Sequence, residues 1–211
     1  MFYFKKTPWW LKKIYTSCVW QIDTKEKIIY LTFDDGPHPV ATPFVLDELK
    51  KHNAKATFFC IGKNVVLYPE IYQRILAEGH SIGNHTFNHL NGWKTETKTY
   101  IENILFAKKQ IDSILFRPPY GKITFKQLKI LVQTKTSFKV IMWSVLSGDF
   151  DSDISNIKCL NNAIKNTGKG SIIVFHDSEK AFEKLRFVLP KVLEHFTNLG
   201  YRFENIGTGK Q

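Results

Sequence analysis

The chain alternates short apolar runs with longer stretches in which apolar residues recur every three or four positions. From Lys27 onward the runs have the length and composition of buried strands, and the stretches between them have the period of amphipathic helices. Such alternation is typical of parallel β/α units. Seven strands are predicted, over residues 28–33, 56–61, 80–84, 114–116, 140–145, 171–175 and 201–205. This is one strand fewer than a regular eight-stranded β/α barrel contains.

Helix boundary signals fall in the gaps between these runs. Thr42 followed by Pro43 is the pair expected at an N-cap and the first helical position. Pro69 likewise predicts the start of a helix, and an amphipathic stretch over residues 182–196 predicts a long last helix.

The length of 211 residues and the hydrophobic content of 43% suit one domain with a large core. We predict that this domain spans residues 27–211 and that a basic, aromatic segment, residues 1–26, packs on it. Trp9 and Trp10 lie among lysines in this segment, so it could contact a membrane surface weakly. The segment resembles neither a signal peptide nor a transmembrane helix. We therefore expect a cytoplasmic or peripherally membrane-associated protein.

The formal net charge of +11 favours anionic partners. The lysines are nevertheless spread along the chain without a nucleic-acid-binding motif, so we do not expect DNA or RNA binding. The three cysteines, Cys18, Cys60 and Cys159, lack CxxC spacing. This pattern predicts neither a disulfide framework nor a cysteine metal site.

Two adjacent carboxylates, Asp34 and Asp35, follow the first predicted strand. Like charges held side by side are neutralised by a metal, by another cation or by sharing a proton. His85 and His89 lie four positions apart, and on one side of a helical turn they would be close enough to hold one ion. With a carboxylate from another strand, they predict a three-ligand zinc site that leaves a fourth position open.

Further polar residues follow later predicted strands. Arg117 follows the fourth strand, Asp149 the fifth and His176 the sixth. Because the carboxyl ends of parallel strands open on one face of a barrel, we expect these side chains to gather near the two carboxylates. The sequence therefore predicts an active site at this rim.

Five ordered segments resemble the polysaccharide deacetylases of carbohydrate esterase family 4, which carry the NodB-homology domain. The segments are TFDDGP at 32–37, HTFNH at 85–89, RPPYG at 117–121, WSVLSGDF at 143–150 and VFHD at 174–177. The resemblance implies an α/β fold, a distorted seven-stranded (β/α) barrel of TIM-barrel type. It also implies zinc, or another divalent transition metal such as Co²⁺ or Ni²⁺. The implied activity is removal of N-acetyl groups from a glycan such as peptidoglycan or a chitin-like polymer.

The resemblance also implies roles for the matched residues. The implied metal ligands are Asp35, His85 and His89. Asp34 would be the base that deprotonates water, and Arg117 would keep it ionised. His176 would protonate the departing amine, and Asp149 would keep His176 protonated. The backbone N–H of Tyr120 would stabilise the oxyanion.

Three further residues are predicted to form the substrate pocket. Phe150 and Val174 would shape an apolar slot for the acetyl methyl group, at positions where the family often has Trp and Leu. These differences alter the size of the pocket while keeping it apolar. Trp93, in a loop after the histidines, is predicted to stack on a sugar ring.

Three alternatives stay open at this point. One is an esterase that removes O-acetyl groups from xylan with the same site. Another is an iron oxygenase with two histidines and one carboxylate. The third is a non-catalytic module that binds a glycan or a membrane surface. The sequence leaves the glycan, its chain length, the native metal and the oligomeric state open.

Overall fold

The structure is a computed structural model that describes residues 3–133 and 137–207. Its strands are β1 Cys18–Val19, β2 Ile28–Asp34, β3 Ala56–Cys60, β4 Ser81–Asn84, β5 Leu115–Phe116, β6 Lys139–Ile141, β7 Val145–Leu146, β8 Ile172–His176 and β9 Arg202–Phe203. Its α-helices are α1 Trp9–Ile14, α2 Ala41–Lys51, α3 Gly62–Leu67, α4 Pro69–Ala77, α5 Thr97–Lys108, α6 Phe125–Gln133, α7 Asn156–Lys165 and α8 Glu179–Asn198. A short 3₁₀ turn covers Pro119–Gly121.

Eight of the strands in the described residues form one curled parallel sheet, in the order β1-β6-β5-β4-β3-β2-β8-β7. Strand β9 pairs with the beginning of β2. Strand β2 is central, with Asp34 opposite Phe59 of β3 and His176 of β8. The sheet and its surrounding helices confirm the predicted distorted β/α barrel. Because the strands are parallel, their carboxyl ends share one rim, and this rim carries the candidate site.

The core explains why the central strands could be predicted. Strands β2, β3 and β8 are covered on both faces, so they are nearly continuous runs of buried apolar residues. The ring of Phe33 stacks between those of Phe58 and Phe175, with centroids 5.1 and 6.0 Å away. Such packing fixes the position along the barrel axis of Asp34 and Asp35 at the end of β2.

The single strand predicted over residues 140–145 is wrong, because two strands occupy this run. Strand β6 pairs with β5, whereas β7 pairs with β8. The backbone changes partner between them: the Met142 carbonyl accepts a hydrogen bond from Arg117, and the Trp143 carbonyl accepts one from Thr7. These carbonyls therefore accept hydrogen bonds from side chains instead of from a neighbouring strand.

The N-terminal segment lies against the barrel, although no strand was predicted in it. Strand β1 pairs with β6, and Lys6 forms an antiparallel bridge with Val145. Trp20 is buried, and its indole N–H donates to the Tyr15 carbonyl. Met1 and Phe2, which begin the predicted segment, lie outside the described residues.

The described helices were also searched for a membrane span. None of the helices within residues 3–133 and 137–207 combines the length and the apolar character needed to cross a bilayer.

Candidate active site

The two adjacent carboxylates face different partners because of a turn in the backbone. Asp34 is the last residue of β2, and Asp35 has a φ of 82°, in the left-handed region that non-glycine residues seldom adopt. The side-chain amide of Asn64 donates to the Asp35 carbonyl at 2.7 Å and so helps to hold this turn. As a result, Asp34 reaches Arg117, and Asp35 reaches the two histidines of the second matched segment.

Asp35, His85 and His89 form a cluster suited to a metal ion. Their ligand atoms all lie within 4.8 Å of one another. The Nε2 atoms of His89 and His85 are 3.1 and 3.6 Å from Oδ1 of Asp35. This buried Oδ1 has no hydrogen-bond partner among the described residues. A buried carboxylate oxygen without a donor, beside two imidazole nitrogens, is the arrangement expected of atoms that share a cation.

The helical turn predicted for His85 and His89 is wrong. The two residues lie in an irregular loop in which Thr86 and His89 have φ values of 64° and 56°. The side-chain oxygen of Asn84 accepts from the Thr86 N–H, and that of Asn103 accepts from two further amides of the loop. Side-chain acceptors therefore replace helical hydrogen bonds and bring the imidazoles together, with ring centroids 5.2 Å apart.

The contacts of His85 leave its Nε2 atom free of a proton and able to bind a metal. Its Nδ1 lies 2.8 Å from the Arg117 carbonyl, which can only accept a hydrogen bond, so the proton belongs on Nδ1. The lone pair of Nε2 is then directed toward Asp35. Burial lowers the pKa of His85 to about 4, which keeps the imidazole neutral near pH 7.

Arg117 is fully buried, and its guanidinium is fixed by hydrogen bonds. Nη1 donates to Oδ1 of Asp34 at 2.7 Å and to the Thr32 hydroxyl at 2.7 Å. Nε and Nη2 donate to the carbonyls of Ile141 and Met142 at 3.0 and 2.9 Å. Burial lowers the pKa of Arg117, and the charge of Asp34 opposes this effect. A buried guanidinium needs such a counter-ion, so the pair acts as one unit.

His176 forms the second charge pair, with Asp149. The backbone N–H of His176 donates to Oδ2 of Asp149 at 2.7 Å, and Nδ1 lies 2.8 Å from Oδ1. The Ser147 hydroxyl also donates to Oδ1, at 3.0 Å. Burial lowers the pKa of His176, but the charge of Asp149 and the hydrogen bond to it outweigh burial and raise the pKa to about 9. The imidazole can therefore hold a proton at neutral pH.

The four remaining predicted residues lie at different depths. The Phe150 ring is 5.1 Å from that of His176, and the Tyr120 ring is 4.6 Å from that of His89. Val174 is buried in β8 two positions before His176, and so it lies on the same face of the sheet. Trp93 is 61% exposed, and its indole N–H donates to the Ile123 carbonyl at 3.1 Å.

Sequence reasoning assigned no role to Asp177, which lies within the fifth matched segment. This buried carboxylate accepts hydrogen bonds from the Gly36 N–H at 3.1 Å and from the Thr42 hydroxyl at 2.5 Å. Burial raises the pKa of Asp177 to about 8. A Cβ on Gly36 would lie 2.0 Å from the carboxylate, so glycine is required there. Asp177 thereby holds the loop that carries Asp35.

Thr42 is not the predicted N-cap. Helix α2 begins at Ala41, and Nδ1 of His38 accepts from the amides of Val40 and Ala41. The hydroxyl of Thr42 instead donates to Asp177. The His38 imidazole therefore takes the role that the threonine was expected to have.

Tyr3 was also missed. Its hydroxyl donates to Asp151 at 2.8 Å, and its ring centroid is 5.2 Å from that of Phe150. The Leu146 N–H donates to the Lys5 carbonyl at 2.9 Å and holds this part of the chain beside β7. Because Tyr3 and Phe150 are far apart in the sequence, no local pattern could indicate the contact.

Comparison with known proteins places these motifs in a family. Residues 21–138, more than half of the chain, match the sequence profile of the polysaccharide deacetylases. The chain belongs to the polysaccharide deacetylase family. The family resemblance predicted from the sequence is thereby confirmed.

Named relatives and a solved structure agree with this membership. The chain is 36% identical over 196 residues to a peptidoglycan-N-acetylglucosamine deacetylase of Bacillus cereus, covering 89% of the chain and 90% of the relative. It is 37% identical over 165 residues to a chitooligosaccharide deacetylase of Azorhizobium caulinodans, covering 74% and 77%. A crystal structure of a peptidoglycan N-acetylglucosamine deacetylase with a naphthalenyl N-hydroxybenzamide superposes with a TM-score of 0.85, at 33% identity and 95% coverage of each chain.

Proposed function

We propose that this protein is a metal-dependent hydrolase that removes N-acetyl groups from a glycan of the peptidoglycan or chitin type. The observation that carries the proposal is the arrangement at the rim. A cluster suited to a metal lies beside two separate carboxylate pairs, Asp34 with Arg117 and Asp149 with His176. Hydrolysis of an amide needs both a base and an acid, and the two pairs can supply them.

Asp35, His85 and His89 would hold the metal. One carboxylate and two neutral imidazoles are ligands typical of Zn²⁺, and Co²⁺ or Ni²⁺ accept the same donors. When bound, such an ion makes water more acidic and polarises a carbonyl group. The carbonyl of Arg117 fixes the orientation of the His85 ring, which supports this assignment.

Asp34 would act as the general base. Its carboxylate accepts a proton from the water molecule that attacks the acetyl carbonyl carbon. The Arg117 guanidinium occupies Oδ1 and leaves Oδ2 to receive that proton. Since Arg117 is held by hydrogen bonds to Thr32, Ile141 and Met142 as well, it cannot follow the carboxylate if the latter turns away.

His176 would act as the general acid. As the carbon–nitrogen bond breaks, the imidazolium gives its proton to the departing amine, and acetate is left as the second product. Asp149 holds Nδ1, so Nε2 carries the proton that is transferred.

The backbone N–H of Tyr120 would donate to the carbonyl oxygen while negative charge develops on it. Phe150, beside His176, and Val174 would enclose the methyl group, and Trp93 would contact the sugar.

The alternative functions differ in which residues of the site would have no role. An iron oxygenase would have no use for a buried base and a separate protonated imidazole. A non-catalytic module would retain two desolvated charge pairs without a chemical reason. An O-acetyl esterase would use the same residues, but an alkoxide leaves far more readily than an amine anion, so the ester needs the acid less. The strongly proton-binding His176 therefore favours the amide.

The test is acetate release from three substrates by the zinc-loaded protein: chitin oligomers, peptidoglycan and acetylated xylan. We expect release from at least one of the two N-acetylated glycans, at a higher kcat/KM than from xylan. Release from xylan alone would establish the esterase. Absence of release from all three would contradict the proposed activity.

Replacing Asp149 by asparagine should change the pH dependence. His176 must be protonated to act as the acid, so the rate of the native protein falls as the pH rises through a pKa of at most about 9, since a bound dication would lower that value. In Asp149→Asn the charge that raises this pKa is gone, and the descending limb moves to lower pH. Profiles of kcat/KM against pH for both proteins measure the shift, and an unchanged alkaline limb would contradict the role of His176.

The same pKa predicts how stability depends on pH. The pKa of His176 is raised in the folded protein, so the imidazolium stabilises the fold fully below about pH 6.5, the value of a free histidine. This stabilisation is lost as the pH rises through about 9. Asp149→Asn should be less stable than the native protein at pH 6, and the difference should shrink above pH 9. Urea denaturation of the metal-free proteins at both pH values measures it.

Replacing Tyr3 by alanine should relax the selectivity for the acyl group. The Tyr3 ring packs against Phe150, and its removal lets Phe150 move away from His176. We expect the ratio of propionyl to acetyl hydrolysis to rise about tenfold, the effect of one methylene in a hydrophobic pocket. Tyr3→Phe keeps the ring and should keep the native ratio. Equal ratios in native protein and Tyr3→Ala would show that the ring does not support the pocket.

A further inference from the structure

A group of large apolar side chains is exposed on one side of the barrel. Trp9, Trp10 and Ile14 of α1 are 69%, 44% and 51% exposed. Trp10 and Ile14 are one helical turn apart, and the ring of Phe4 packs edge-on against Trp10 with centroids 6.2 Å apart. We call Phe4, Trp9, Trp10 and Ile14 the aromatic patch. Single exposed apolar residues are ordinary, but a contiguous group with two indoles marks an interaction site.

The patch is surrounded by positive charge. Lys5, Lys6 and Lys13 are exposed, and Lys12 is half-buried. The Nζ atom of Lys13 lies 4.9 Å from the centroid of the Trp9 ring. The first acidic residue of the chain is Asp23, so the stretch before it, which carries the patch and these lysines, contains no carboxylate side chain. A partner that covers the patch must therefore be apolar in part and carry negative charge.

Contacts on both sides of α1 attach the patch to the barrel. The Thr7 N–H donates to the Ser144 carbonyl at 3.0 Å, just before α1 begins. Leu11 of α1 and Tyr15, which follows the helix, pack against a buried cluster that includes Met142. The helix therefore packs on the barrel through Leu11 and presents its indoles and Lys13 outward.

We infer that the aromatic patch and its lysines form a docking surface for an anionic lipid bilayer. Indole rings favour the boundary between headgroups and hydrocarbon, and lysines next to them attract acidic headgroups. An anionic glycan would pair with the lysines and could stack a sugar ring on an indole, but it would leave Phe4 and Ile14 in water. A bilayer offers hydrocarbon to the apolar side chains and acidic headgroups to the lysines, so it fits this surface better.

Docking would place the catalytic rim close to the membrane. Tyr3 contacts Phe150 at the rim, and Trp9 follows only six residues later. Six extended residues span at most about 20 Å. The docked protein would therefore act on glycan that lies near the bilayer surface. The docking itself does not depend on the proposed deacetylase activity.

The test is co-sedimentation of the full chain with vesicles. One set contains equimolar phosphatidylglycerol and phosphatidylcholine, and the other contains phosphatidylcholine alone. We expect binding to the anionic vesicles that weakens with added salt, and little binding to the neutral ones. Trp9→Ser with Trp10→Ser should lower the partition coefficient at least about tenfold. Val66→Ser with Leu67→Ser, an adjacent exposed apolar pair on α3, is the matched control and should bind as the native protein does.

A charge variant tests the inference independently of whether the tryptophan variant folds. Lys6→Glu with Lys13→Glu leaves the indoles in place and should lose binding to anionic vesicles. Thermal unfolding of each variant checks that the barrel is intact. Absence of vesicle binding by the native protein, or equal loss in the α3 control, overturns the inference. Self-association also overturns the inference if vesicle binding is absent. It would be detected in sedimentation as a dimer that the tryptophan variant abolishes. Binding to an anionic glycan polymer without binding to vesicles also overturns it.

Discussion

Replacing Asp34 by asparagine is expected to lower kcat about 10²- to 10⁴-fold while changing KM little, because a positioned general base contributes an effect of that size. Asparagine has nearly the shape of aspartate but cannot take the proton from water. The metal cluster is formed by other side chains, so the variant should bind zinc with native stoichiometry. Initial rates of acetate release and the zinc content of the purified protein measure the two outcomes.

The same substitution should destabilise the fold. Arg117 is fully buried and would lose its counter-ion, and breaking a buried ion pair costs about 3–5 kcal/mol. Urea denaturation measures the loss, and the kinetic comparison is made at a temperature where both proteins are folded. Asp112→Asn, on a fully exposed aspartate, is the matched control and should change neither rate nor stability. Native activity in Asp34→Asn would remove Asp34 from the role of base.

Replacing His176 by alanine is expected to abolish most hydrolysis of the amide and to spare that of an activated ester. An amine leaves poorly without a proton, so the rate on N-acetylated glycan should fall about 10²- to 10⁴-fold. A nitrophenyl acetate has a weakly basic leaving group and needs no acid, so its hydrolysis should fall far less. The comparison of the two substrates in one variant separates loss of the acid from a general disturbance of the site.

Two further results would complete that comparison. With the ester as substrate, the native protein should show no alkaline limb from His176, and its pH profile should match that of His176→Ala. Equal losses on amide and ester would indicate that His176 positions the substrate or supports the metal cluster, and would contradict the acid role.

The parts of the fold that could be predicted are those whose pattern is local. Strands β2, β3 and β8 were placed within one or two residues because burial on both faces leaves continuous apolar runs. The order of polar residues after successive strands placed Asp34, Arg117 and His176 at one rim. The structure brings them there, with Asp34 in contact with Arg117 and Asp149 in contact with His176.

The parts that were missed depend on contacts between distant residues. The break between β6 and β7 lies where the Met142 and Trp143 carbonyls accept hydrogen bonds from Arg117 and Thr7, which are distant in the sequence. Strand β1 has only two residues and therefore no periodicity to detect. The loop of the histidines depends on left-handed backbone at Thr86 and His89, which are not glycines and so give no signal.

The central claim is that the cluster of Asp35, His85 and His89 holds the metal on which the reaction depends. Its most direct test is a zinc titration of chelator-stripped protein, followed by acetate release from chitin oligomers or peptidoglycan. We expect no release without metal and a rise that saturates at one zinc per chain. His89→Gln should require far more zinc. Full release from the stripped protein, or saturation unaffected in His89→Gln, would show that this cluster does not hold a metal that the reaction needs.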